Sequence, residues 1–303
     1  MQLNLFEDNK PGILLNIADE FILSRDFDQA ISVYEQLREE YPGDRQSANL
    51  LELVSQWRQA VSTMNLSNPE SFADIWGCFG AISHAPLKSV VLRLLIDELW
   101  TLPDAERIYC PPACHFGHLL MEGGRFSEAA DCFYRALSAP HIPRGRFLAW
   151  RGDALTLADN ESAALKSYLD AFLEDPATVD MRSIACGTIR DLYSSLCEEA
   201  TEEIEADGEA AWLPVWGWFE EVFALPLLLE RDREVAHDSA AFEDQLEERM
   251  RTVPRIWFDM LASAERLRAT ARDNREMAAI RRLMKKNSSF MFDKYFTVMS
   301  ERR

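Results

Sequence analysis

The chain of 303 residues is sparing with the residues that build catalytic loops and irregular folds: 12 Gly, 13 Pro and 5 His. It contains no G-x-G-x-x-G after a strand, no G-x4-G-K-[ST], no G-x-S-x-G and no H-E-x-x-H, so nucleotide, hydrolase and zincin chemistry have no sequence support. It also lacks an uncharged apolar run of membrane-spanning length; the nearest candidate, 213–229, is split by Glu220 and Glu221. Residues 1–10 carry Glu7 and Asp8 and no apolar run, which leads to the expectation of a chain without a secretory leader. The six cysteines sit mostly beside apolar residues, the pattern of buried thiols in a reducing compartment. A cytoplasmic protein with no membrane contact is expected.

The chain is rich in apolar residues, 48%, and in acid, with a formal net charge of −19. Such a balance disfavours general nucleic-acid binding. The charge is uneven, however. From Arg266 to Arg303 there are 11 Lys/Arg against 4 Asp/Glu, a net of +7, which leaves −26 on the preceding 265 residues. Seven carboxylates between Glu198 and Glu209 read as a solvated helix end and loop.

One pattern occurs three times. Leu14, Ile17, Ala18, Phe21, Ala30, Tyr34 and Pro42 are matched by Leu148, Gly152, Leu155, Ala164, Tyr168 and Pro176. Between them lie Phe116, Gly117, Leu120, Ala129, Phe133 and Pro140. The apolar residues recur at helical spacing, and the small ones fall where two helix backbones must approach closely. Turns are expected at Arg25-Asp26, Gly123-Gly124 and Asp159-Asn160. Between the first two copies the period stays helical without the pattern, with helices expected at about 45–64, 70–83 and 87–101. The 134 residues separating Pro42 from Pro176 equal about four units of 34, which suggests degenerate repeats in register. After residue 178, helices are expected at 180–200, about 212–229, 240–271 and 274–300.

These three segments resemble tetratricopeptide repeats, with spacing W-x2-L-G-x2-Y…A-x3-F…P. Leu14, Ala113 and Leu148 replace the family's tryptophan, and Pro140 stands one residue early. The resemblance implies an all-α, right-handed superhelix of helix pairs, with clear repeats at 11–44, 111–142 and 145–177 in a solenoid spanning 11–206. A helical C-terminal region, 209–303, would cap it, with Phe292, Phe296 and Met299 as its inward face. The family's first helices line a concave groove that takes partner proteins or peptides. Here that assigns Leu15, Asp19 and Ile22; Cys114, His118, Met121 and Glu122; and Arg146, Ala149, Asp153 and Thr156. Asp19 and Asp153 would repel a C-terminal carboxylate, so a basic or apolar ligand is expected, bound without catalysis, cofactor or metal.

Two other features carry alternatives. Cys110, Cys114, His115 and His118 are metal-ligand types; were Pro112 to start a helix, Cys114 and His118 would lie i, i+4 on one face. At most three of the four would converge, and ordinary packing explains them more simply. The basic residues of 266–303, followed by Phe290, Phe292, Tyr295 and Phe296, offer a second reading as a nucleic-acid-associated surface. Trp212, Trp216, Phe219 and Phe223 on one face of their helix, with Trp218 and Val222 on another, point to a helix buried between layers.

Overall fold

The structure is a computed structural model that describes residues 10–225, 252–269 and 274–302. Among them are fifteen α-helices and one two-residue β-hairpin, so the chain is all-α as expected. It divides into two compact units, residues 1–136 and 137–303.

The first unit opens with α1 (Lys10–Leu23) and α2 (Phe27–Glu40), an antiparallel pair. Ala18, Ile22, Ala30, Tyr34 and Leu37 are fully buried between or beneath them. The unit closes with a second such pair, α6 (Phe116–Glu122) and α7 (Phe126–Ala136), and the second unit opens with a third, α8 (Arg144–Leu157) and α9 (Glu161–Glu174). The three pairs turn identically. The first helix of each ends on a residue with positive φ: Arg25 at 66°, Gly124 at 70° and Asp159 at 57°. The next N–H then reaches back five residues, Asp26 to Phe21 O at 2.9 Å, Arg125 to Leu120 O at 2.8 Å and Asn160 to Leu155 O at 2.9 Å. This double closure satisfies carbonyls that a helix end leaves without partners. Asp26 and Asn160 then cap the second helix, accepting from the amides of Gln29 and Ala163.

The turn fixes which residues meet. Seven positions before each positive-φ residue stands Ala18, Gly117 or Gly152, and sixteen positions later in the chain stands Tyr34, Phe133 or Tyr168. A Cβ on Gly117 would lie 2.5 Å from the Phe133 ring, and one on Gly152 would lie 2.8 Å from the Tyr168 ring. Both distances are below van der Waals contact, so the ring seats against bare backbone. Ala129 and Ala164 are buried where the second helix comes close, as the repeat spacing predicts.

The middle of the first unit departs from the repeat. The expected helices are present as α3 (Arg45–Thr63), α4 (Pro69–Gly80) and α5 (Ala85–Thr101). They do not form pairs in register. α3 runs unbroken through Gln59 and Ala60, where a register of 34 would place a turn; α5 packs on α1 and α6, and α4 on α5 and the hairpin. Proline placement explains the breaks, since Pro69 and Pro86 fit only first turns.

In the second unit, α10 (Gly187–Glu199) and α11 (Glu202–Asp207) lead through Gly208, at φ 82°, into α12 (Glu209–Phe219). Gly208 thus lies inside a packed unit, with the Trp212 indole N–H donating to Asp207 at 3.2 Å. α12 is buried on all sides from Ala211 to Phe219 and packs on α9, α10, α13 (Val253–Ala269) and α15 (Ser289–Glu301). The aromatic helix is a core element, as its two apolar faces indicate. It ends at Glu221, φ 59°, with the Val222 N–H reaching Gly217 O at 2.8 Å, a fourth copy of the same turn. The helix expected to reach 229 stops at Phe219; 226–251 and 270–273, over which the 240–271 expectation partly falls, lie outside the described residues.

The expected 274–300 helix is two, α14 (Asn274–Asn287) and α15, divided where Ser288 caps α15 by accepting from the Met291 amide at 3.2 Å. α15 buries Met291, Tyr295, Val298 and Met299, with Tyr295 donating to Glu265 at 3.1 Å. Phe296 is therefore not on the inward face; it is 62% exposed, because the contact stripe follows 291, 295 and 298. Lys294 meets Glu199 at 3.1 Å, so part of the basic tail does face the acidic stretch.

Overpacking a core costs about 1–3 kcal/mol. Ala164→Leu should therefore lower the melting temperature clearly, while Ser162→Leu, at an exposed position two residues earlier, should leave it nearly unchanged. Equal thermal denaturation of the two variants contradicts the close approach of α8 and α9.

Candidate partner-binding site

The residue after each small position on the first helix of a pair is polar: Asp19, His118 and Asp153. In all three pairs it serves the fold. Asp19 accepts from the Tyr34 hydroxyl at 3.4 Å and meets His84 Nε2 at 3.1 Å, where α5 begins. Asp153 is 5% exposed; its Oδ1 accepts from the Tyr168 hydroxyl at 2.6 Å and from the Ala185 amide at 2.7 Å. His118 lies in the same place beside Phe133, rings 5.2 Å apart. The chain matches polar residue to ring: aspartate where the second helix offers a tyrosine hydroxyl, histidine where it offers a phenylalanine.

The expected groove residues are placed as follows. Ile22, Cys114, Ala149 and Asp153 are buried and present no surface to a partner. The face of α1 that carries Asp19 and Ile22 is turned to its neighbour α5. Leu15, Met121 and Thr156 are half-buried, Thr156 donating to Gly152 O at 2.9 Å. Arg146 binds Thr178 twice, through its amide and its Nε, both at 3.1 Å. Glu122 alone among the eleven is exposed, and Lys88 pairs with it at 2.6 Å. Asp19 and Asp153, which motivated a basic ligand, and Glu122 are thus all engaged within the fold.

The cysteine–histidine cluster is built differently from the helix expected at Pro112. β1 (Tyr109–Cys110) and β2 (Cys114–His115) pair antiparallel around Pro111 and Pro112, with Cys110 opposite Cys114. α6 begins only at Phe116, so Cys114 and His118 never share a helix face. His115 caps α6: its Nδ1 accepts from the Gly117 amide at 3.0 Å, which leaves Nε2 to donate to Glu106 O at 2.7 Å. Among the described residues no three His, Cys, Asp or Glu side chains converge as metal ligands. Burial pushes the His115 pKa down to about 3 and that of His118 to about 4, keeping both imidazoles neutral. Burial also pushes the Cys114 thiol up to about 12, with Cys110 beside it acting in the same direction.

An open groove does exist in the first unit, on residues that the repeat spacing did not select. It has a volume of about 500 Å³ and lies between α5 and the α6–α7 turn. Its floor is Leu92 and Ile96; Ala85, Lys88, Ser89, Arg93 and Asp97 line it from α5, and Glu122, Gly123 and Arg125 from the turn. Trp100, one helical turn beyond Ile96, is 44% exposed, with the Arg125 guanidinium 5.5 Å over its ring and Phe116 edge-on at 5.1 Å. Leu92 and Trp100 are the accessible ends of an apolar line at i, i+4, i+8 whose middle residue, Ile96, is buried, and charges of both signs border it. Such a line, ending in a partly exposed indole, suits an apolar segment flanked by polar groups. The spacing of these three residues was visible in the sequence, but nothing in α5 matches the repeat. No family model, curated protein or solved structure matches the chain.

Burial pushes the Asp153 carboxyl up to about 6, only partly offset by the hydrogen bonds from Ala185 and Tyr168. Its folded-state pKa lies above its unfolded value, so the contribution of this group to stability is fully present below about pH 4 and lost as pH rises through about 6. Asp153→Asn retains an oxygen for both donors. The stability of the Asn variant relative to the parent should rise by about 2–3 kcal/mol between pH 4 and pH 7. The neutral histidines act in the opposite direction in both chains, so the variant-minus-parent difference in urea denaturation is the quantity to follow. A difference flat with pH refutes the assignment.

Proposed function

We propose that the chain is a non-catalytic cytoplasmic scaffold or adaptor, built from tetratricopeptide-like helix pairs in a right-handed superhelix with a helical C-terminal cap, that binds a partner protein or peptide. The observation that carries this reading is the threefold recurrence of one helix–turn–helix geometry, down to the positive-φ residue and the ring seated on a small residue. Stacked helix pairs leave extended surfaces, and binding is what such surfaces do. The site favoured is the α5 groove rather than the buried first-helix residues. Its ligand is an apolar segment anchored on Leu92 and Trp100, with basic flanks favoured by the field of a chain of net charge −19.

The test is selection of peptides from a random displayed library on the intact protein, followed by titration against Ser89→Trp. Ser89 is exposed in the groove, so the indole fills the site without disturbing the core. Selected peptides should be apolar, bind the parent with micromolar affinity and lose at least about tenfold on the variant. Peptides that bind both proteins equally contradict the site.

A further inference from the structure

The chain has 51 carboxylates and 32 Lys/Arg, and a number of its cations pair across elements. Lys10, Arg25, Arg58, Lys88, Arg144 and Lys294 all reach a carboxylate from another helix or turn. α14 instead clusters three cations on one face. Arg282, Lys285 and Lys286 are exposed on its last two turns, and among the described residues no carboxylate lies within ion-pair distance of them. One turn earlier the same outer face carries the small exposed residues Ala278 and Ala279. The inner face is occupied: Met284 is fully buried, and the Arg281 guanidinium lies 6.0 Å over the Tyr295 ring.

Aromatic rings adjoin these charges. The Lys285 amine lies 5.8 Å from the centre of the Phe292 ring, and Phe296, one turn farther along α15, is 62% exposed. No packing accounts for so exposed a phenylalanine beside a basic helix. We infer that the outer face of α14, with Phe292 and Phe296, binds single-stranded nucleic acid. The cations would neutralise backbone phosphates, and a phenylalanine ring offers a base a stacking platform. A duplex hides its base faces and would leave Phe296 unused. An anionic membrane is a poorer fit, since Leu283, 43% exposed, is a single large apolar side chain among the cations of α14 and not the broad apolar face that insertion needs. The net negative charge of the whole chain opposes a polyanion at long range, so binding should be local and steeply dependent on salt.

The experiment uses the full chain and a fluorescent oligo(dT) probe of about 20 nucleotides, long enough for one such surface. Anisotropy is followed across a salt series, with the equivalent duplex, phosphatidylserine vesicles and poly-glutamate as comparisons. The parent should bind the single strand in low salt and more tightly than the duplex. Joint replacement Arg282→Glu, Lys285→Glu and Lys286→Glu should weaken binding at least tenfold. It should also flatten the log–log salt slope by about 2, at about 0.7 per phosphate contact. All three positions are exposed, so an unchanged melting curve certifies the fold. Phe296→Ala should weaken the single strand several-fold and leave duplex binding unmoved. Ser89→Trp should have no effect, which separates this surface from the α5 groove. Oligonucleotide binding that ignores the triple replacement overturns the inference. So does a silent Phe296→Ala, or a surface that takes only vesicles or poly-glutamate.

Discussion

The fold depends on how closely two helices can be brought together when one carries a ring and the other nearly nothing. Where Phe133 and Tyr168 face Gly117 and Gly152, the ring lies on the opposing backbone, and any added carbon would overlap it. Ala18 is the largest residue found in that position, opposite the equally buried Tyr34. The approach sets the crossing of each pair, and the positive-φ turn delivers the second helix at the required register. The two features operate as one device: a ring sixteen residues after the small position meets it only if the chain reverses at the seventh.

The same geometry explains why polar residues of the first helices are engaged within the fold. The residue beside each small position points along the interface, where a buried polar group must find a partner. Tyr34 serves Asp19, and Tyr168 with the Ala185 amide serves Asp153. Each carboxylate is thereby used twice within the protein, once inside its helix pair and once toward a residue outside it. Surface is left instead on α5, whose outer face carries Leu92 and Trp100, and on the outer face of α14.

The sequence made legible whatever repeated. The spacing of Ala18, Ala30 and Tyr34 and of Gly152, Ala164 and Tyr168 located the helix pairs, their turns and their buried small residues. The polar partners were available in the same pattern, since Asp19–Tyr34 and Asp153–Tyr168 are both fifteen apart, yet exposure cannot be told from spacing alone. What did not repeat stayed hidden. Pro111-Pro112 fits a first helical turn and a hairpin turn equally well, and only the pairing of Cys110 with Cys114 decides between them. On α15, Phe292 and Phe296 fit an inward stripe as well as Met291 and Tyr295 do. The choice fell to the contact between Tyr295 and Glu265 from a helix thirty residues away in sequence. The register of 34 failed across α3 because nothing at Gln59 or Ala60 stops a helix.

Hydrogen–deuterium exchange on Gly152→Val tests the central claim most directly, read against Leu157→Val at an exposed position of the same helix. If the ring of Tyr168 holds the pair by resting on the backbone at Gly152, the added methyls must drive α8 and α9 apart. Protection should then fall along both helices, including Ser167 to Ala171 on the partner helix of the pair, while Leu157→Val leaves α9 as it was. Faster exchange confined to the turn around position 152, with α9 protected as in the parent, would contradict the account.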